Sequence, residues 1–147
     1  MDAPHLPRLS YLELTLYNVK ARCLEILGRL PELHTLKLYT QMEFWLVVKG
    51  SGAFPKLRHL RSTTMLRFQH GVMPRLEYLE LKLDVPELKR ANFDCDFTSL
   101  VNLPLLQKLR VHLMRQAADR KYVKRMETGV KHAVDMHPHR RPIFYCS

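Results

Sequence analysis

The chain has 147 residues, 46% of them hydrophobic and 26% charged, and a formal net charge of +10. That length suits one compact domain, and the composition excludes a disordered or disulfide-dense chain. The longest purely apolar run, Phe44 to Val48, is much too short for a membrane-spanning helix.

In chain order, the first recognisable unit is Leu6-Pro7-Arg8-Leu9-Ser10-Tyr11-Leu12-Glu13-Leu14. Leu12 and Leu14 share one face of a period-two strand, and Leu9 turns into the same core before the strand begins. Asn18 to Leu30 predicts a helix, with Asn18 as N-cap, Cys23, Leu27 and Leu30 at helical spacing and Gly28 near its end. The unit then returns as Leu30-Pro31-Glu32-Leu33-His34-Thr35-Leu36-Lys37-Leu38. From Thr40 to Ala53 come Phe44, Trp45, Val47 and Val48, with Trp45 expected in the core, and then the flexible turn Lys49-Gly50-Ser51-Gly52.

A third copy, Phe54-Pro55-Lys56-Leu57-Arg58-His59-Leu60, lacks the trailing apolar residue. Thr64 to Val72 is too short for a good helix. The fourth copy is Met73-Pro74-Arg75-Leu76-Glu77-Tyr78-Leu79-Glu80-Leu81. Val85 to Asn102 follows, with Pro86 and the stretch Phe93-Asp94-Cys95-Asp96-Phe97, and is expected to be irregular. The fifth copy is Leu103-Pro104-Leu105-Leu106-Gln107-Lys108-Leu109-Arg110-Val111. Ala117 to Met136 then predicts an amphipathic helix with Tyr122, Met126, Val130, Ala133 and His137 on one face, ended by Pro138. Ile143-Phe144-Tyr145 predicts one more short strand.

The motif prolines, at positions 7, 31, 55, 74 and 104, recur every 19 to 30 residues. A leucine ladder at that period is the signature of a leucine-rich-repeat solenoid. The expected fold is therefore α/β, with a short-stranded parallel sheet, an irregular convex side and a C-terminal capping helix. The expected division is residues 1–116 for about five irregular repeats and 117–147 for the capping helix and terminal strand. No equivalent cap precedes the first repeat, so the chain reads as the C-terminal piece of a longer array that exposes the core side of its first repeat. The asparagine ladder common in extracellular receptors of this class is missing. Its positions hold Tyr17, Gln41, Met65, Asp84 and Met114.

Outward positions of the five strands form columns on the expected concave face: Tyr11, Thr35, His59, Tyr78 and Lys108; Glu13, Lys37, Arg61, Glu80 and Arg110; Thr15, Tyr39, Thr63, Lys82 and His112. Strands about 4.8 Å apart would let Glu13 pair with Lys37, and Glu80 with Arg61 or Arg110. Tyr39, Tyr78 and Arg61 are the expected hot spots, since aromatics and arginine carry most interface energy. The candidate protein-binding residues are Tyr11, Glu13, Lys37, Tyr39, His59, Arg61, Tyr78, Glu80, Lys82, Lys108, Arg110 and His112.

Cys23, Cys95 and Cys146 stand far apart with no C-x-x-C, which favours a reducing, cytoplasmic setting over a disulfide framework. His137 and His139 beside Cys146 make a poor metal set, and no cysteine is placed beside a histidine and an orienting third group. No catalytic, cofactor or metal site is expected. Half of the net charge, +5, lies from Met114 onward, on a helix carrying Arg120, Lys121, Lys124 and Arg125 and at Arg140-Arg141. Such charge is ordinarily the solvated face of an amphipathic helix. A basic nucleic-acid-binding module using that helix is an alternative reading.

Several stretches resemble the last repeats of plant intracellular nucleotide-binding leucine-rich-repeat immune receptors of the coiled-coil type. They are Gly52-Ala53-Phe54-Pro55-Lys56-Leu57, Phe68-Gln69-His70-Gly71-Val72-Met73-Pro74-Arg75-Leu76-Glu77, Phe93-Asp94, and Ala133-Val134-Asp135-Met136-His137-Pro138. The resemblance runs through essentially the whole chain. It implies a repeat region that holds the receptor inactive and contributes to detecting pathogen effectors, with an effector or the receptor's own nucleotide-binding module as partner. The G-x-x-x-x-G-K-[ST] phosphate loop of such receptors is not in this sequence. A further alternative is the substrate-recognition repeat of an F-box ubiquitin-ligase adaptor.

Overall fold

The computed structural model describes residues 8–17, 21–40, 45–138 and 141–147. In chain order its elements are β1 (Tyr11–Leu16), α1 (Ala21–Leu27), β2 (Thr35–Thr40), β3 (Trp45–Val48), β4 (His59–Ser62), β5 (Met65–Phe68), β6 (Tyr78–Asp84), α2 (Val85–Arg90), β7 (Lys108–Met114), α3 (Arg120–Asp135) and β8 (Ile143–Cys146). Short 3-10 turns occupy Thr98–Asn102 and Ala117–Asp119. Asn18, Phe44, His139 and Arg140, invoked above as cap, apolar neighbour, ligand candidate and cation, lie outside the described residues.

Among the described residues, β1, β2, β4, β6, β7 and β8 form one parallel sheet in that order. The fold is thus mixed α/β with a parallel sheet, as the strand–crossover–strand pattern requires. Each ladder leucine falls in register with its counterparts: Leu12, Leu36, Leu60, Leu79 and Leu109 form one row, ending at Phe144. The leucines preceding the strands (Leu33, Leu57, Leu76 and Leu106) and the apolar residues before the prolines (Leu30, Phe54, Met73 and Leu103) are all buried. Where the third copy breaks the apolar rule, Ser62 takes the inward position at 0% exposure. Its hydroxyl donates to the Thr64 carbonyl at 2.8 Å and accepts from the Thr64 amide at 3.0 Å, so the buried oxygen is satisfied.

The connecting segments are more ordered than the sequence predicts. β3 and β5 pair in parallel as a second, two-stranded sheet, with α1 beside β3 and the 98–102 turn beside β5. The segment 64–72, too short for a helix, supplies a strand instead. Val85 to Asn102, expected to be irregular, begins with a helix. Asp84 caps α2 by accepting from the Glu87 amide at 3.1 Å, and Pro86 stands in the first turn, where its missing N–H costs nothing. Trp45 is also corrected: it is 40% exposed, and the Arg67 guanidinium lies 4.9 Å from its ring centroid.

α3 buries Tyr122, Met126, Val130 and Ala133 as its stripe predicts, together with Val123 and Val134, against the 98–102 turn and α2. His137 is buried beyond its end, and its Nε2 donates to the Leu103 carbonyl at 2.7 Å. The Tyr122 hydroxyl donates to the Phe93 carbonyl at 2.6 Å. Burial, reinforced by the neighbouring Cys95, pushes this phenol above its ordinary value, and burial likewise pushes the Cys95 thiol up. The unfolded phenol ionises first, near its reference value of about 10. The stability carried by the neutral phenol is therefore complete below about pH 10 and is lost as pH rises above it. Urea midpoints at about pH 9 and about pH 11 should fall further for the parent chain than for Tyr122→Phe; equal losses would refute the assignment.

Candidate functional site

Period-two alternation sends every second side chain of the main sheet away from the leucine core, and the parallel register lines these residues into rows. One row runs Tyr11, Thr35, His59, Tyr78, Lys108 and Ile143, and the next runs Glu13, Lys37, Arg61, Glu80, Arg110 and Tyr145. In the third, Thr15 stands beside Tyr39 and Lys82 beside His112, while Thr63 lies just past the end of β4.

The contacts divide this open face into two groups. At the β1 end, Lys37 Nζ sits 5.5 Å from the Tyr11 ring centroid, and the Tyr11 hydroxyl donates to Glu13 Oε2 at 3.3 Å. Tyr11, and beyond it the charge of Glu13, raises the Lys37 ammonium above its ordinary value. Lys37 thus turns to the ring, and the expected Glu13–Lys37 ion pair is not among those formed by the described residues. Tyr39, two residues further along the same face, adds to the rise at Lys37 and has Thr15 as its strand partner.

The second group is continuous from β4 to β8. The His59 and Tyr78 rings meet at 4.5 Å between centroids with a 60° tilt. Burial lowers the His59 pKa, which favours the neutral ring, and among the described residues its Nε2 has no hydrogen-bond partner. Arg61 Nε lies 3.6 Å from Glu80 Oε2, which is the cross-strand pair expected at that position. The alternative Glu80–Arg110 pair does not form among the described residues, because Arg110 packs at 5.5 Å from the Tyr145 centroid instead. Lys108 Nζ lies between two rings, 5.3 Å from Tyr78 and 5.5 Å from Tyr145. At the far end His112 Nδ1 shares a 2.8 Å hydrogen bond with Ser147 Oγ. Each cation–ring contact at such an exposed site contributes about 0.5–1 kcal/mol.

Tyr145 is the contact residue missing from the candidates read from the sequence. The short strand at 143–145 was legible, but only its register against β7 puts Tyr145 in the row of Arg110. Arg67, with Trp45 on one side, the Phe93 centroid 5.5 Å away and Asp94 as ion partner, is a second missed cluster, on the connecting layer. On α3, Lys121, Lys124 and Arg125 point to solvent, opposite the buried stripe.

Among the described residues, no group of three or more His, Cys, Asp or Glu side chains is gathered as for a metal ion. No helix among them is long and apolar enough to cross a membrane. A family model described as a leucine-rich repeat region matches residues 1–143. Comparison with curated proteins and with solved structures gave no match.

Proposed function

We propose, for a chain that belongs to the leucine-rich repeat region family, that the open face of the main sheet is the concave, protein-binding surface of a leucine-rich-repeat solenoid. The observation that carries this reading is the run of touching side chains His59, Tyr78, Lys108, Tyr145 and Arg110, flanked by the Arg61–Glu80 pair. Aromatic and arginine side chains held by their neighbours lose little freedom on docking, which is the property of interface hot spots. The face offers recognition groups rather than a nucleophile with its base, so the module is read as non-catalytic.

The finer reading is the C-terminal repeat region of a plant nucleotide-binding immune receptor of the coiled-coil type. It rests on the Gly52-Ala53-Phe54-Pro55 and Met73-Pro74-Arg75-Leu76 turns and on the Ala133-to-Pro138 ending. In that role the face would contact a pathogen effector or the receptor's own nucleotide-binding module. The unpaired thiols of Cys23, Cys95 and Cys146 suit a reducing, cytoplasmic setting.

Arg61→Glu removes the cation that balances Glu80 and reverses the centre of the face. Co-precipitation with the nucleotide-binding module of a coiled-coil receptor should weaken by about tenfold, while the thermal midpoint stays close to that of the parent. Undiminished capture by the variant would count against this face.

A further inference from the structure

Charge is distributed unevenly over the open face. Toward β1, acids and bases alternate: Glu13 stands near Lys37, and Arg61 is paired with Glu80. Toward β8 the cationic outward side chains of β6 and β7 beyond that pair are Lys82, Lys108 and Arg110, with His112 beside Lys82. The acid on these strands beyond Glu80 is Asp84, at the far end of β6, where its carboxylate caps α2, and the next strand offers Tyr145 in place of an acid. None of Lys82, Lys108 and Arg110 has a carboxylate within ion-pair distance among the described residues.

Cations left without a counter-ion on a sheet surface ordinarily sweep solvent. Here Lys108 is held between the Tyr78 and Tyr145 rings, and Arg110 lies against Tyr145, which is itself 50% exposed. Ring faces position a cation without neutralising it, because the attraction comes from the ring quadrupole and leaves the full charge facing outward. The result is an arranged pair of positive groups bordered by apolar ring surface.

We infer that the β6–β8 half of this face takes an acidic polypeptide segment, its carboxylates against Lys108, Arg110 and Lys82 and its apolar side chains against Tyr78 and Tyr145. This rests on the face being a protein-binding surface and adds the chemistry of the partner. Opposite charge against Lys82, Lys108 and Arg110 gives both on-rate and register, since Glu80, on β6 but balanced by Arg61, borders these cations and a segment shifted further toward β1 meets Glu13. A uniformly charged nucleic-acid backbone laid along the rows would be repelled by those same two carboxylates.

The test uses the full chain and a fluorescein-labelled synthetic peptide alternating glutamate and valine, with a lysine–valine peptide and single-stranded oligothymidylate as counter-probes. The glutamate peptide should bind and weaken as salt is raised, and the lysine peptide should not bind. The Lys108→Glu/Arg110→Glu double variant should lose about tenfold or more in affinity for the glutamate peptide and gain affinity for the lysine peptide. Should that variant fold poorly, Lys82→Glu, on a fully outward side chain, should show the same direction at several-fold. Equal binding of both peptides, an unaltered preference in the reversed variants, or displacement of the glutamate peptide by oligothymidylate at equal concentration would each overturn the inference. If the peptides fail while Arg61→Glu still weakens capture of the nucleotide-binding module, only the acidic chemistry falls and the binding face stands.

Discussion

Leu79→Ala should destabilise the protein by about 2–5 kcal/mol, a large part of the roughly 5–15 kcal/mol that holds a domain of this kind folded. Leu79 is 0% exposed at the centre of the main sheet, with Leu60 and Leu109, also 0% exposed, beside it in the same row. Removing its branched end leaves a cavity walled by a parallel sheet on one side and the connecting layer on the other, and neither collapses easily. Leu12 occupies the same place in the repeat but stands on β1, at the end of the sheet, and is only half-buried. Leu12→Ala should cost less than half as much, because its side chain loses fewer neighbours and the gap opens toward solvent. Urea unfolding of both variants measures the contrast. Equal costs would show that the ladder position, rather than its place in the stack, sets the energy.

Gly129→Ala is expected to destabilise, against the local preference. In the middle of a helix alanine is favoured over glycine by about 0.8–1 kcal/mol, so propensity alone predicts a gain. The backbone of α3 at Gly129 instead lies so close to the connecting layer that a Cβ there would drive into the Cys95 carbonyl oxygen and press on the Phe97 ring at 3.2 Å. A ring edge can rotate aside; a carbonyl moves only with its backbone. Cys95 already holds a left-handed φ of 59°, so that segment has little room to shift. Overpacking of this kind costs about 1–3 kcal/mol, which exceeds the propensity gain. The nearby Tyr122–Phe93 hydrogen bond would be strained by the same displacement. A lowered urea midpoint for Gly129→Ala is the expected result, and a raised one would show that α3 moves outward at no cost.

The two variants mark where sequence reading succeeds and where it stops. Inward and outward sides of each main-sheet strand follow from alternation alone, and all five ladder copies obey it, with Ser62 as the buried polar exception. The buried stripe of α3 follows from helical spacing for the same reason: both are short-range periodicities that backbone geometry imposes. The start of α2 was also written locally, in Asp84, Pro86 and Glu87, although a proline in a mixed stretch reads more readily as a break. The β3–β5 pair was not legible, because four-residue, largely apolar runs become strands only when a partner lies alongside.

At the candidate site, the rows of outward residues were determined by the sequence once the ladder copies are aligned. Which neighbours touch was decided by the tertiary structure. Lys37 chooses the Tyr11 ring over Glu13, Arg110 chooses Tyr145 over Glu80, and Trp45 lies at the surface with Arg67. These outcomes depend on residues distant in the chain and on small energy differences between an exposed ion pair and a ring contact, each about 1 kcal/mol or less. The same distance in sequence explains Gly129, whose constraint comes from a carbonyl on a different segment. By itself, then, the sequence determined the ladder, the parallel α/β sheet it builds and the side each residue faces, because periodicity is a local property. Burial depth, side-chain partners and close approaches belong to the tertiary structure, because they are set by whatever the fold brings to the other side.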